Sequence, residues 1–234
     1  MKKFLLFTGV FAMAAMLGGC GKTPVPDTPD PDPDDPDVPA ALYEVGDYYE
    51  KGFLKGIVFN VDETGEHGYI LALDETVAVW SYKDENVMYG TPATNGDYNC
   101  ALVREMENWQ ENYPGFYWAD SKNVLGLNNW YVPSSQEMAM IYTAYTGHAP
   151  EAGDDEGVLE TAAADADASS GKTWFNGCLT SHGGVAIDDV LYWTSGEYGP
   201  QIAYVFDMST GTNCLEQEKF DKTNEYPFRA ISRF

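Results

Sequence analysis

The sequence predicts an α+β domain, and three stretches carry that prediction. Gly56 to Leu73 alternates apolar and polar residues on either side of a loop bearing two glycines. Asn129 to Tyr142, NWYVPSSQEMAMIY, reads as a strand that turns straight into a helix. Leu191 to Phe234 holds three more alternating runs, the last reaching the final residue.

The middle stretch organises the rest. Trp130, Tyr131 and Val132 are bulky and β-prone. Pro133 ends the strand because it has no N–H for a ladder. Ser134 stands three residues before Glu137, the spacing of a capping box. Met138, Ile141, Tyr142 and Tyr145 follow at helical spacing, which predicts a buried helix ending near Gly147.

Before it, Ile57, Phe59 and Val61 share one strand face, Tyr69 to Leu73 is the return strand, and Glu63 to Gly68 is the hairpin loop, with His67 solvated at its tip. A first helix is expected after Asn95 or Asp97, both good N-caps. Leu102, Met106 and Trp109 form its apolar stripe, Cys100 is a buried thiol on it, and Pro114-Gly115 stops it. After it, LYWTS (191–195), IAYVFDM (202–208) and FRAISRF (228–234) read as strands, with a turn at Ser209 to Thr212. Arg229 and Arg233 are expected on one face, paired with carboxylates.

The N-terminus reads as an address. Lys2 and Lys3 precede an apolar run from Phe4 to Leu17 that is too short for a comfortable membrane span, and Leu17-Gly18-Gly19-Cys20 matches a lipobox. The expected mature protein starts at an acylated Cys20, with residues 1–19 removed as a signal peptide and acyl chains as its only membrane contact. Residues 20–42 form a tether in which seven prolines interleave with six aspartates. Proline blocks helix and ladder, and like charges extend the chain, so this segment would reach roughly 60–70 Å in polyproline form. Residues 43–234 are the folded domain, exported and presented at the cell surface on the outer membrane.

Charge narrows the partners. The 234 residues carry 37 acidic and 13 basic side chains, a net charge of −24. Such a surface repels nucleic acid and anionic lipid. Aromatic residues make up 14% of the chain, which suits either a large core or platforms for sugar rings.

Gly147 to Asp189 is where core periodicity fails. An alanine-rich piece, Val158 to Ala168, is expected to form one short helix inside an otherwise long loop region, and such loops on rigid scaffolds commonly carry function. Trp174, Asn176 and His182 are the ligand-contact candidates there: a flat apolar ring beside amide and imidazole groups. An alternative reading buries Trp174 and Phe175 as the start of a strand. Asp154, Asp155, Asp165 and Asp167 are candidate cation ligands, with Ca²⁺ as the ion, because a divalent cation relieves carboxylate repulsion. Asp165-Ala-Asp167-Ala-Ser169 starts a calcium-loop alternation, but Ser170 and Asn176 stand where the EF-hand needs Gly and Glu. No nucleophile elbow, zinc-protease helix, phosphate loop or dinucleotide fingerprint occurs.

The corner WYVPSSQEM, the run YWTSGEY and the terminal FRAISRF together resemble a bacterial family of lectin-like surface domains. Its members carry G-W-x-L-P-[ST]-x-x-E-L, then Y-W-S-S-T-E, then V-R-x-V-R. The resemblance spans roughly Tyr43 to Phe234 and implies a C-type-lectin-like fold: a twisted antiparallel sheet, two helices and a long loop region before the last strands. Asn129 stands where that family has Gly, and the E-P-N and W-N-D calcium-sugar motifs of animal C-type lectins are absent. The superfamily includes formylglycine-generating enzymes, whose Trp- and Gly-rich motifs are missing here. The resemblance also implies a bridge between Cys178 and Cys214, closing the loop region onto the last strands, and an exported compartment permits one; the alternative is that Cys100, Cys178 and Cys214 are three reduced, buried thiols. The expected function is a lipid-anchored binding or adhesion module for a glycan or protein. An extracellular enzyme acting on glycans and a structural subunit of a surface fibre are the alternatives.

Overall fold

Along the chain, the computed structural model describes residues 42–87, 94–124, 126, 129–147, 151–152, 159–160, 166–214 and 220–234. All belong to one unit, Ala40–Phe234. In order they form β1 (Tyr48–Lys51), β2 (Leu54–Val61), β3 (Gly68–Leu71), β4 (Thr76–Val79), α1 (Gly96–Arg104), α2 (Trp109–Asn112), α3 (Pro114–Asp120) and α4 (Ser135–Thr146). Then come β5 (Glu151–Ala152), β6 (Leu159–Glu160), α5 (Ala166–Ser181), β7 (Leu191–Glu197), β8 (Ala203–Asp207), β9 (Thr212–Cys214), β10 (Glu225–Phe228) and β11 (Ile231–Arg233). The class is α+β, with every strand pair antiparallel.

The main sheet runs β1-β2-β3-β11. The β2–β3 hairpin stands where alternation placed it, and β1 adds an edge strand that the alternation did not show. Ile57, Val58 and Phe59 are all buried while Val61 is half-buried. Both α4 and α5 pack on this strand. The run Phe228 to Phe234 is two strands rather than one. It breaks at Arg229-Ala230, so that β10 pairs with β4 and β11 joins the main sheet beside β3. A third sheet runs β7-β8-β9.

The corner folds by local chemistry. Ser134 Oγ accepts from Glu137 N, the Glu137 side chain accepts from Ser134 N, and both halves of the capping box are closed. Met138, Ile141, Tyr142 and Tyr145 are buried, and Gly147, at φ 80°, ends the helix in the left-handed conformation. Trp130 to Val132 are buried, but only Tyr131 joins a ladder, as a single bridge to Ile231.

The first helix differs from expectation. Asn95 caps it, accepting from Tyr98 N, but α1 stops at Arg104 and buries Gly96, Asn99, Cys100 and Val103. Leu102, Met106 and Trp109 only flank the core. Asn108, at φ 52°, breaks the path before α2. Pro114 begins α3 at its first position instead of stopping a helix, since proline's missing N–H costs nothing there.

The arginines part company. Arg229 is buried, paired with Glu75 at 2.9 Å and donating to Val185 O and Ala186 O. Arg233 is exposed and lies over the Tyr69 ring. The aromatic residues largely fill the core: Trp80, Trp193, Tyr113, Tyr131, Tyr192, Phe175, Phe206, Phe220 and Phe228 are among its largest fully buried side chains.

Candidate functional site

The stretch expected to be loop contains the longest described helix, α5. Its start is rich in small residues, and these let it approach α4. A Cβ at Gly171 would collide with the carbonyl of Thr146 at the end of α4. Ala168, Phe175 and Leu179 are buried, at positions i, i+7 and i+11, one narrow stripe of a helix. Lys172 fastens the same side, bonding Asp189 at 2.7 Å and lying over the Tyr145 ring. Trp174 and Phe175 therefore begin no strand: Phe175 is core, whereas Trp174 is 51% exposed.

Trp174, Cys178 and His182 fall at i, i+4 and i+8, which puts them on one flank of α5 and its terminal turn. That flank meets the segment leading into β1. A Cβ at Gly46 would lie 2.6 Å from the Trp174 ring and 3.4 Å from Cys178 Sγ. The His182 ring stacks on Tyr48 with centroids 4.3 Å apart and planes 9° from parallel. His182 Nδ1 is 3.1 Å from the carbonyl of Cys178. The same nitrogen is 3.1 Å from Ser181 Oγ, so the tautomer decides whether Nδ1 donates to the carbonyl or accepts from the hydroxyl. The result is an exposed Trp beside a stacked Tyr–His pair.

Asn176 is not part of this surface. Its Nδ2 donates to Ile187 O at 2.9 Å and its Oδ1 accepts from Ile187 N at 2.7 Å. Both functions of the amide hold the segment after α5, and the residue is structural. Tyr48 is the member that sequence reasoning missed, since nothing local links it to His182.

Asp154, Asp155 and Asp165 lie outside the described residues. Asp167 sits within α5, so the alternation from Asp165 to Ser169 is helical from Ala166 onward. Among the described residues no group of three His, Cys, Asp or Glu side chains is placed to hold a metal ion. Cys178 is a half-buried free thiol, with its Sγ beside Gly46, rather than a partner in the expected bridge. The Cys214 side chain and Cys20 lie outside the described residues. Cys100 is a buried free thiol, as expected, and burial pushes its pKa up to about 12.

One buried polar centre extends the capping box beyond what the sequence showed, and a second escaped the sequence. Glu137 accepts from Gly96 N at 3.0 Å, Ser134 N and Ser134 Oγ at 2.8 Å each, and Tyr131 OH at 2.9 Å. Burial, with Glu137 adjacent, raises the Tyr131 pKa and keeps its hydroxyl a donor. Glu197 accepts from Val87 N with both oxygens and pairs with Lys222 at 2.5 Å. Lys222 lies over the Trp80 ring and also donates to Glu85 O. Burial lowers the Lys222 pKa, and the Glu197 carboxylate opposes that shift. In both centres each charge meets its partners inside the protein. They fix chain segments and present no charged group outward.

No family model matches this chain, and neither does any curated protein. Among solved structures it is similar to a fimbrial protein from Bacteroides ovatus ATCC 8483, at 15% identity with a TM-score of 0.48, over 71% of this chain and 36% of that one. The chain thus spans about a third of that protein's length. At this level of likeness neither fold nor role passes from one to the other. Among the described residues no helix is long and apolar enough to cross a membrane.

Proposed function

We propose that the chain is an exported, acyl-anchored surface module whose C-type-lectin-like domain holds an extracellular glycan on the outer flank of α5. The exposed Trp174 beside the Tyr48–His182 stack carries this reading. An aromatic face offers an apolar surface to the C–H side of a sugar ring. The His182 ring can exchange a hydrogen bond with a sugar hydroxyl in either tautomer, and the helix beneath keeps the groups in place. Leu17-Gly18-Gly19-Cys20 supports the anchor. The motif resemblance supports the lectin-like plan, as does the meeting of its two motifs: Ser195 N, in YWTSGEY, donates to the carbonyl of Pro133, in the corner, at 2.8 Å.

Two experiments test this. Retention on immobilised extracellular polysaccharides is measured for the protein and for Trp174→Ala, with and without calcium, since four candidate aspartates precede Trp174 in the chain. Lost retention with an unchanged melting temperature supports the surface. Equal retention removes it. Separately, Cys20→Ala should move the protein from the membrane to the soluble fraction, and persistence in the membrane would refute the anchor.

A further inference from the structure

A second surface feature lies away from the α5 flank. It is a cleft of about 180 Å³ where four chain segments converge: the β1–β2 turn (Phe53) with β2 (Lys55), the end of β3 (Ala72, Leu73, Asp74), the chain after α3 (Lys122) and the corner (Trp130). Its volume is below the roughly 300–1,000 Å³ of clefts for drug-sized ligands, which leaves room for about one ring.

The lining is sorted by polarity. Trp130 and Ala72 are buried and, with Leu73, make an apolar floor. Phe53 forms a wall and is 63% exposed. Nothing in the core requires that ring at a turn, and Gly52 beside it is already in the left-handed conformation that the turn needs. The rim carries both signs. Lys122 Nζ bonds both Asp74 oxygens, at 2.6 and 2.5 Å, and lies 4.3 Å from the Trp118 ring centre. Lys55 pairs with Glu50 across the hairpin. The donors and the acceptor are thus held in place before any ligand arrives.

This arrangement selects a ligand class. An anion gains little from the two lysines of the rim, which are already paired with Glu50 and Asp74, and meets the Asp74 carboxylate and a chain of net charge −24. A wholly apolar group would strip water from the charged rim without replacing it. A neutral ring with one C–H face and hydroxyls on its edge satisfies floor, wall and rim together, because hydroxyls both donate and accept. We propose that the Phe53–Trp130 cleft is a subsite for one neutral hexopyranose unit of a glycan. It does not depend on the α5 surface.

The test is an NMR titration of the full chain with D-glucose, D-galactose and D-mannose as probes, following the indole N–H signals of Trp130 and Trp174. Expected is a saturable shift at Trp130 for at least one sugar, with affinity in the roughly millimolar range for so small a ligand. Phe53→Ala should weaken that binding about fivefold to tenfold, the scale of one aromatic contact, with the melting temperature unchanged. Asp74→Asn should weaken it as well. A shift at Trp130 without one at Trp174 supports the cleft even if the α5 reading fails. No saturable shift at Trp130 with any of the three sugars, undiminished binding by Phe53→Ala, or tighter binding of D-glucuronate than of D-glucose would overturn the proposal.

Discussion

Helices α4 and α5 lie against each other and use their surfaces in opposite ways. α4 is closed at both ends, by a capping box and by Gly147, and it buries Met138, Ile141, Tyr142 and Tyr145 along a broad face. α5 touches the core along one narrow line, Ala168, Phe175 and Leu179, and turns Trp174 and His182 outward. Position comes from the first helix and display from the second. A side chain on α5 can be exposed and still well placed, because its backbone is held against a neighbour that is itself buried.

The comparison breaks most sharply at Glu137. Glu137→Ala would leave four buried donors without an acceptor, and the unfolding free energy from urea titration should fall by about 4 kcal/mol. Glu137→Gln keeps one acceptor oxygen and should cost about half as much. Next is the anchoring line of α5. Phe175→Ala should cost about 3–4 kcal/mol, as for other fully buried aromatics, and should lower ligand retention with it.

Alkaline pH probes the buried side without mutation. Cys100 stays protonated in the folded state to about pH 12, whereas the unfolded thiol ionises near 9.0. Burial likewise raises the pKa of Tyr113, Tyr131 and Tyr145 above 10.0. Below pH 9 these groups are neutral in both states and their contribution is complete. Above it the unfolded chain loses protons first, so stability falls as pH rises, by about 1.4 kcal/mol per pH unit for each group past its unfolded pKa. Cys100→Ala should flatten the fall between pH 9 and 10 in urea midpoints. An unchanged slope would mean that the thiol is not sealed from water.

Smaller effects separate Asn176 from Trp174. Asn176→Ala removes two partly buried hydrogen bonds and should cost about 1–2 kcal/mol with ligand contacts intact. Trp174→Ala should cost about 1 kcal/mol or less, since half of the ring is already in water, yet should lose retention. If Trp174→Ala cost as much as Phe175→Ala, α5 would have no display face and the two helices would not differ in kind.

The corner was legible because its determinants are local. Ser134 and Glu137 are three residues apart, and the apolar spacing of Met138 to Tyr145 agrees with the cap. The hairpin at Glu63 to Gly68 was readable for the same reason. α5 was not, because ADASSGKT at its start has no apolar period, and its fit depends on Gly171 meeting Thr146 of another helix. The site residues show the same divide. Trp174 and His182 stood out by type, but their shared flank exists only on a helix. Asn176 looked equally available because its partner, Ile187, lies 11 residues on. The break at Arg229-Ala230 was hidden because alternation continues across it while the chain changes sheets.

Glu137 also joins two distant parts of the chain in time. Its carboxylate takes the first amide of α1, 41 residues earlier, as well as that of its own N-cap. One anion thus serves as counter-ion at the positive ends of two helix dipoles. Neither helix can fray at its start without weakening the hold on the other. The amide hydrogens of Gly96 and Ser134 should therefore exchange with solvent deuterium at matching rates, through a single shared opening.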